Sequence, residues 1–222
     1  VVLAAAATTA VAWGRPEAWP AALPVLVLWA GSPAVARWIS MPAPAARTTP
    51  LSPGDARALR LIARRTWRFF TTFVSPEDHA LPPDNFQEEP NPVVAHRTSP
   101  TNLGLYLLST VAAHDFGWLG TVDTVERLEA TLETMTGLER FRGHFYNWYD
   151  TRDCRPLDHR YVSSVDSGNL AGHLIAFVHA CREMIDRPLL GPEAPDGIED
   201  AALLVRESLR ARAGDRGTHT LT

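Results

Sequence analysis

Residues 99–113 read Ser99-Pro-Thr-Asn-Leu-Gly-Leu-Tyr-Leu-Leu-Ser-Thr-Val-Ala-Ala113, and they contain the strongest helix signal of the chain. A serine followed by proline is a start signal for a helix, because the hydroxyl can cap the first turn and proline suits the first helical position. The residues that follow are apolar on nearly every side of a helix. We therefore expect a helix that begins at Thr98 or Ser99, has Pro100 first, and is buried.

On either side of this helix, the sequence predicts four more helices in total. A second buried helix begins near Asp166 or Ser167 and is largely apolar as far as Cys181. Three helices carry a single apolar stripe, starting at Pro53 and covering about 121–137 and about 198–212. The order is outer, inner, outer, inner, outer, and no strong strand pattern interrupts it. This alternation indicates an all-α domain built as concentric rings, part of an α/α toroid, with a simple helical bundle as the alternative.

The first amphipathic helix has the clearest start of the five. Ser52 can cap it, Pro53 suits the first position, and Asp55 meets the positive end of the helix dipole. Its polar face is rich in arginine, at positions 57, 60, 64, 65 and 68. Such a row either binds anionic lipid or, more commonly, faces solvent.

The N-terminal region is apolar. Residues 19–36 form a run without any charge. The run is long enough to cross the core of a bilayer, which needs about 20 residues with a lower limit near 17. Trp19, Trp29 and Trp38 can anchor it at the interfaces. Prolines weaken the helix, so a hydrophobic hairpin inside a soluble protein is the alternative. Arg37 and Arg47 follow the run, and the positive-inside rule then places the rest of the chain in the cytoplasm.

These features predict three regions: membrane-spanning segments at 1–39, a Pro-rich linker at 40–53, and a helical domain at 54–222. The chain begins with Val inside an apolar run and ends without an obvious stop signal. We therefore expect it to be part of a larger protein.

Composition excludes several classes of function. The net charge is −4, which gives no support to nucleic-acid binding. All 21 basic residues are Arg, so within these residues neither a Schiff-base lysine nor a phosphate-loop lysine exists. Of the two cysteines, Cys181 lies in an apolar helical pattern and is expected to be a buried thiol.

Three segments combine polar and aromatic residues that are poorly suited to a core: 81–87, 95–102, and 143–150 together with 161–169. A sugar needs planar polar partners for its hydroxyls and flat aromatic surfaces for its C–H faces. Two of the segments lie at the starts of the buried helices, where unpaired N–H groups favour acceptor oxygens. These segments are therefore candidates for a carbohydrate site.

Simpler interpretations exist for several of these residues. Ser99, and either Asp166 or Ser167, can simply be helix caps. Asp84 and Asn85, which follow two prolines, can form an Asx turn. His96, His144 and His159 lack the spacing of metal ligands. A Ser–His–Asp triad is discounted because no Gly-x-Ser-x-Gly elbow occurs. Asp84, Asp150 and Asp166 are the local carboxylates for glycoside chemistry, and their spacing assigns none of them a role.

The strings PPDNFQ (82–87), AHRTSPTNLGLYLLS (95–109), GHFYNWYDTR (143–152) and VDSGNLAG (165–172) closely resemble cyclic β-1,2-glucan synthases. The resemblance covers about residues 52–183. Proteins of this family are large inner-membrane enzymes that combine a processive UDP-glucose glycosyltransferase, several membrane spans, a cyclising helical-barrel domain and a phosphorylase-like region.

The resemblance implies that this chain holds the last membrane span and the first part of an (α/α)6 glucoamylase-like barrel. That domain cuts a linear glucan and joins its ends by transglycosylation. The family's catalytic glutamate pair is expected beyond residue 222, and the glycosyltransferase's Asp-x-Asp donor motif is missing here. We therefore assign no catalytic residue in this segment and expect it to hold no metal and no cofactor. The segment alone would be inactive, whereas the full-length protein would use UDP-glucose. Cys154 stands where an apolar residue such as Leu is expected.

The expected partners are a β-glucan chain, the lipid bilayer and the remaining domains of the same polypeptide, at the bacterial inner membrane with the soluble part in the cytoplasm. Two other hypotheses remain: a non-catalytic, membrane-anchored helical scaffold of a polysaccharide synthase, and a soluble helical regulator with a hydrophobic hairpin. The residues predicted to bind substrate are Asp84, Asn85, Gln87, His96, Arg97, Thr98, Asn102, His144, Asn147, Trp148, Tyr149, Asp150, Asp166 and Asn169.

Overall fold

A computed structural model describes residues 2–41, 50–189 and 191–218, with side chains as far as residue 210. The chain divides into two compact units, Val1–Leu51 and Ser52–Thr222. Most of the linker predicted at 40–53 falls at 42–49 and lies outside the described residues.

The first unit consists of two helices. Helix α1 is Val2–Gly14, and α2, Trp19–Ile39, follows a 3-10 turn at Pro16–Ala18. The two helices pack against each other. In the described residues, one helical stretch, Pro16–Ile39, is long and apolar enough to cross a membrane. Its large side chains, among them Leu28 and Trp38, are exposed in this unit.

The second unit confirms the all-α prediction. Its helices are α3 Pro53–Phe73, α4 Pro100–Asp115, α5 Thr121–Gly137, α6 Ser164–Ile185 and α7 Ala194–Thr218. The first three begin where the sequence predicts. The structure is compatible with a toroid, and the complete ring stays a prediction.

Serine caps explain three of these starts. The hydroxyl of Ser52 accepts a hydrogen bond from the Asp55 N–H at 3.1 Å, and that of Ser99 accepts one from Asn102 at 3.2 Å. Helix α6 begins at Ser164, earlier than predicted, because Ser163 is the cap and accepts from the Asp166 N–H at 3.1 Å. Helix α7 is longer at both ends than the predicted 198–212.

Three pairs of two-residue strands lie in regions for which the sequence predicts no strands. All three pairs are antiparallel: β1 with β2, β3 with β6, and β4 with β5. Their bounds are β1 Phe86–Gln87, β2 Val93–Val94, β3 Arg97–Thr98, β4 Arg140–Phe141, β5 His144–Phe145 and β6 Tyr149–Asp150. The β3–β6 pair matters most, because it joins two of the polar segments, with Arg97 opposite Asp150.

Helices α4 and α6 lie side by side and run in the same direction. At their starts the Thr101 hydroxyl donates to Asp166, and near their ends Arg187 pairs with Asp115. The helices are in close contact at Gly104, where Cβ of His173 lies 2.8 Å from the position that a Cβ on residue 104 would take. The main core surrounds this contact and includes Leu81, Leu103, Leu107, Val111, Leu128, Met135, Leu138, Tyr149, Leu170 and Phe177.

Helix α6 is less buried than predicted. Leu170 and Phe177 are buried, but Ile175 is 64% exposed and Val178 is also exposed. One side of α6 packs on α4, and within the described chain no element covers the other. Cys181 is accordingly half-buried, as is Cys154, and both pack against the core. Burial raises the pKa of each thiol.

The arginine row of α3 faces carboxylates of α7. Arg57 pairs with Glu199 at 3.5 Å, and Arg65 pairs with Glu207. Arg60 donates to Asp200 from Nε and Nη2 at 3.0 and 2.7 Å. Arg60 is mostly buried in its pair with Asp200, whereas Arg57 and Arg65 stay more than half exposed, as the solvent-facing interpretation of the row predicts. All three arginines join α3 to α7.

Candidate functional site

A cluster of polar side chains lies at the common start of α4 and α6. We call it the rim; it comprises Asp84, Arg97, Thr101, Asn102, Asn147, Trp148 and Asp166. The β3–β6 ladder places Arg97 beside the 147–150 segment, and the parallel packing of α4 and α6 places Thr101 beside Asp166. Segments separated by more than 60 residues thus supply one connected network.

Asp84 is the first junction of the rim. Its Oδ2 accepts from Nε and Nη2 of Arg97 at 3.1 and 2.9 Å, and from the amide of Asn85 at 3.0 Å. Its Oδ1 accepts from the amide of Asn102 at 3.3 Å. These bonds tie the Pro-Pro turn to β3 and to α4, so the role of Asp84 extends beyond that of a local Asx turn.

Arg97 links this junction to an aromatic surface. Its guanidinium carbon lies 4.5 Å from the ring centroid of Trp148, a favourable cation–π distance. The Asn147 amide, oriented so that each of its atoms finds a complementary partner, accepts from Trp148 Nε1 at 2.8 Å and donates to Asp166 Oδ2 at 2.9 Å. The same amide oxygen accepts from the Tyr161 hydroxyl at 2.7 Å. The indole of Trp148 is therefore held by Asn147 and Arg97. The guanidinium of Arg97 is held by Asp84 and Trp148.

Asp166 is the second junction. Its Oδ1 accepts from the Thr101 hydroxyl at 2.7 Å, and its Oδ2 accepts from the Ser163 hydroxyl at 2.6 Å. Asn169 extends the chain by donating to the Thr101 hydroxyl at 3.1 Å. Because both oxygens of Asp166 are engaged by protein donors, this carboxylate is better suited to holding the rim than to attacking a substrate. The bond of Asp166 to the Ser163 cap repeats that of Asp55 to Ser52 at the start of α3. Its bond to Thr101 is the contact that capping does not explain.

Asp150 and His96 border the rim on the β3–β6 ladder. Arg152 donates to both oxygens of Asp150, at 3.1 and 2.8 Å. These hydrogen bonds are the main reason that the pKa of Asp150 lies below its usual value. His96 Nδ1 lies 2.8 Å from Oδ1 of Asp78.

Two predicted substrate-binding residues lie beneath the rim instead of at its surface. Thr98 and Tyr149 are both fully buried. The Tyr149 hydroxyl donates to the Glu139 carbonyl at 2.7 Å and accepts from the Tyr146 N–H at 2.8 Å, and burial raises its pKa to about 12. We therefore assign Thr98 and Tyr149 to packing and not to ligand contact.

Gln87 and His144 are exposed on β1 and β5, and in the described chain neither side chain has a hydrogen bond to the rim. Conversely, Thr101 and Tyr161 lie in the candidate segments but were not among the residues predicted to bind substrate, and Asp78 lies outside those segments. Thr101 stands between two recognised positions of the α4 start, so its place in the first turn was the available signal. Asp78 had no local signal, because its partners are 18 and 73 positions away.

A cavity of about 880 Å³ lies apart from the rim. It runs along α5 beside the 74–80 segment and includes Glu126, Glu133 and His79 in its lining. In the described part of the chain, no group of three His, Cys, Asp or Glu side chains is arranged to hold a metal ion.

Comparison with known proteins shows what this sequence is similar to. Over 197 residues, 88% of this chain, the sequence is 50% identical to the cyclic beta-(1,2)-glucan synthase NdvB of Rhizobium meliloti (strain 1021). The resemblance to the cyclic β-1,2-glucan synthases is thereby confirmed. The matched stretch is only 7% of the length of NdvB, so the chain corresponds to one segment of that protein. No family model matches the chain.

Proposed function

We propose that this chain is part of a membrane-bound cyclic β-1,2-glucan synthase. In this proposal the second unit contributes to the domain that binds β-glucan and closes it into a ring by transglycosylation. The full-length protein would use UDP-glucose as the donor. The similarity to NdvB supports the class of enzyme, and the rim supports the role of this segment.

The observation that carries the proposal is the convergence of acid, amide, guanidinium and indole groups at the start of two parallel helices. Asp84, Arg97 and Asn102 come from different segments and are joined by hydrogen bonds. Trp148 adds a half-buried aromatic surface beside them. This combination of a flat apolar group and a few fixed polar groups is typical of sugar-binding sites.

The rim carries no assigned catalytic residue. Asp84 and Asp166 are engaged by protein donors on both oxygens, which leaves them poorly placed to act as acid or nucleophile. The cleaving carboxylates are expected beyond residue 222. In this proposal the segment grips and orients the glucan while later parts of the barrel cut it.

The first unit would anchor this domain. Helix α2 meets the length and composition of a membrane span. Arg37 follows the apolar run, and with the positive-inside rule this supports a cytoplasmic position for the second unit at the bacterial inner membrane.

The test is to replace Trp148 or Asn102 by Ala in the full-length protein and to measure glucan affinity and cyclisation. Each change should weaken glucan binding by about tenfold, the effect of losing about 1.4 kcal/mol of interaction. Asn91→Ala is a matched control, because Asn91 is exposed and lies outside the rim. Unchanged affinity and cyclisation in both variants would reject the site.

A non-catalytic scaffold is the second candidate function. It is favoured by the burial of Asn147, which is 5% exposed, and by the internal bonding of Asp166. A scaffold predicts that Trp148→Ala alters the stability of the domain while glucan affinity stays at the wild-type value. The same experiment therefore separates the two functions.

A further inference from the structure

Asp78 is a buried carboxylate that lies outside the rim and has no role in the proposed site. It ends a 3-10 helix at Pro76–Asp78 and is 8% exposed. Its Oδ1 accepts from the Thr151 hydroxyl at 2.6 Å and lies 2.8 Å from Nδ1 of His96. The Thr151 N–H donates to the His96 carbonyl at 3.1 Å, so the three residues form a closed set of contacts.

The segment that carries Asp78 is held firmly against α5. The residues that follow, His79 and Ala80, have φ angles of 55° and 56°, in the left-handed region that non-glycine residues rarely occupy. The hydroxyl of Thr134 donates to the His79 carbonyl at 2.7 Å, and that of Thr131 donates to the Ala80 carbonyl at 2.8 Å. Asp78 therefore has a defined position from which to orient its partners.

The hydrogen-bonding pattern determines which nitrogen of His96 carries a proton. A carboxylate only accepts hydrogen bonds, so Nδ1 of His96 must donate to Asp78. In the neutral ring, Nε2 then has a free lone pair and can only accept. The His96 side chain is 36% exposed, and the next residue in the chain is Arg97 of the rim.

We propose that Asp78 is a positioning residue that fixes the tautomer and orientation of His96, so that Nε2 accepts a hydrogen bond from a glucose hydroxyl of the bound β-glucan. This inference rests on the proposed function, because it extends the same site. In this proposal His96 is a hydrogen-bond acceptor for the glucan, whereas Arg97 and Asn102 carry hydrogen-bond donors.

The first arm of the test does not depend on activity. Full-length protein labelled with 15N-histidine is studied by magic-angle-spinning NMR, and the His96 signals are identified by their loss in His96→Gln. We expect the Nδ1–H tautomer in the wild type. In Asp78→Asn the amide can donate to Nδ1, so the Nε2–H tautomer should gain population. A wild-type ring in the Nε2–H form would overturn the proposal.

The second arm measures kcat and KM for linear β-1,2-glucan. Asp78→Asn should raise KM by about 3- to 10-fold, the effect of one neutral hydrogen bond, with kcat within about twofold of the wild type. His96→Asn retains a nitrogen near the Nδ1 position and removes Nε2, so it should fold even if Asp78→Asn does not, and should raise KM equally. Glu77→Gln is the matched control, because Glu77 is an exposed carboxylate next to Asp78. This variant should change neither kcat nor KM.

The two arms separate failure of this inference from failure of the proposed function. An unchanged KM in His96→Asn overturns the acceptor role of His96. If wild-type protein neither binds nor converts the glucan, the proposed function fails, whereas the NMR arm still shows whether Asp78 sets the tautomer.

Discussion

Asp200 of α7 accepts two hydrogen bonds from Arg60 of α3, at 3.0 and 2.7 Å, although 140 positions separate them in the sequence. Asp200 is 2% exposed. Its Oδ2 also accepts from the indole N–H of Trp118 at 2.8 Å, and Arg60 donates further to the Phe116 carbonyl at 2.9 Å. One buried carboxylate thus joins two outer helices to the loop between α4 and α5.

Asp200→Asn is expected to loosen α7. Removing one charge of a buried pair leaves Arg60 uncompensated, and we expect a loss of about 3 kcal/mol, the lower end for such pairs because Arg60 is 24% exposed. The measurement is hydrogen exchange of peptides from α3 and α7. Glu199→Gln breaks the exposed ion pair with Arg57. It should lower the free energy of local opening, as measured by hydrogen exchange, by about 0.5 kcal/mol or less. Equal effects of the two variants would contradict the assignment.

Gly104→Ala is expected to force α4 and α6 apart. The added methyl group would lie 2.8 Å from Cβ of His173, and overpacking of this kind costs about 1–3 kcal/mol. Gly172→Ala is the control, because nothing lies within 4 Å of the corresponding position on α6 and alanine favours a helix by about 1 kcal/mol. Thermal unfolding should therefore shift downward for the first variant and upward for the second. A neutral Gly104→Ala would show that the helices separate easily.

Tyr149 predicts an alkaline limit to stability. Burial raises its pKa to about 12 in the folded protein, whereas an exposed tyrosine titrates near about 10. The folded state therefore holds the proton more tightly, so this contribution is complete below about pH 10 and is lost as pH rises through about 12. Urea unfolding at about pH 9 and about pH 11 should show the decline in the wild type.

Tyr149→Phe is the matching variant for that measurement. It leaves the Tyr146 N–H and Glu139 carbonyl without their hydroxyl partner, so it should be less stable than the wild type by about 1–3 kcal/mol at neutral pH. The difference between the two proteins should then narrow as the pH rises from about 10 to about 12. A constant difference would show that Tyr149 is not the titrating group.

Arg97→Lys should weaken glucan binding although the charge is kept. Lysine cannot reproduce the two hydrogen bonds to Asp84 or stack its head group as a plane on Trp148. We expect a loss of glucan affinity of about 3- to 10-fold, measured by titration with linear β-1,2-glucan. Arg155→Lys is the control, since Arg155 is 81% exposed and pairs with Asp153 away from the rim. If the Arg97→Lys variant binds glucan as tightly as the wild type, the paired hydrogen bonds to Asp84 and the stacking on Trp148 do not organise the rim.

The helices could be predicted because their signals are local. Ser52 and Ser99 cap helices through bonds to residues three positions away, so short windows of sequence contain the whole interaction. The start of α6 was misplaced because Asp166 also looked like a cap, although Ser163 takes that role. The two-residue strands were missed because strands this short have no periodicity, and β3 pairs with β6 about 50 residues away.

The candidate site was predictable in composition but only partly in membership. The polar and aromatic segments do meet, and Asp84, Arg97, Asn102, Trp148 and Asp166 are joined in one network. Tyr149 and Thr98 belong to the same segments but point into the core. Their burial was not predicted, because the inner and outer faces of a two-residue strand cannot be assigned without knowing the partner strand. Asp78 was missed because its contacts with His96 and Thr151 are long-range.

The class of fold, the starts of the early helices and the chemical character of the three polar segments follow from local sequence, because capping, periodicity and residue type act over a few positions. The packing of the folded chain sets which members of those segments share a surface, which are buried, and which distant residue holds each of them. Those outcomes depend on the parallel packing of α4 against α6 and on the β3–β6 ladder, where the partners of each hydrogen bond come from remote parts of the chain.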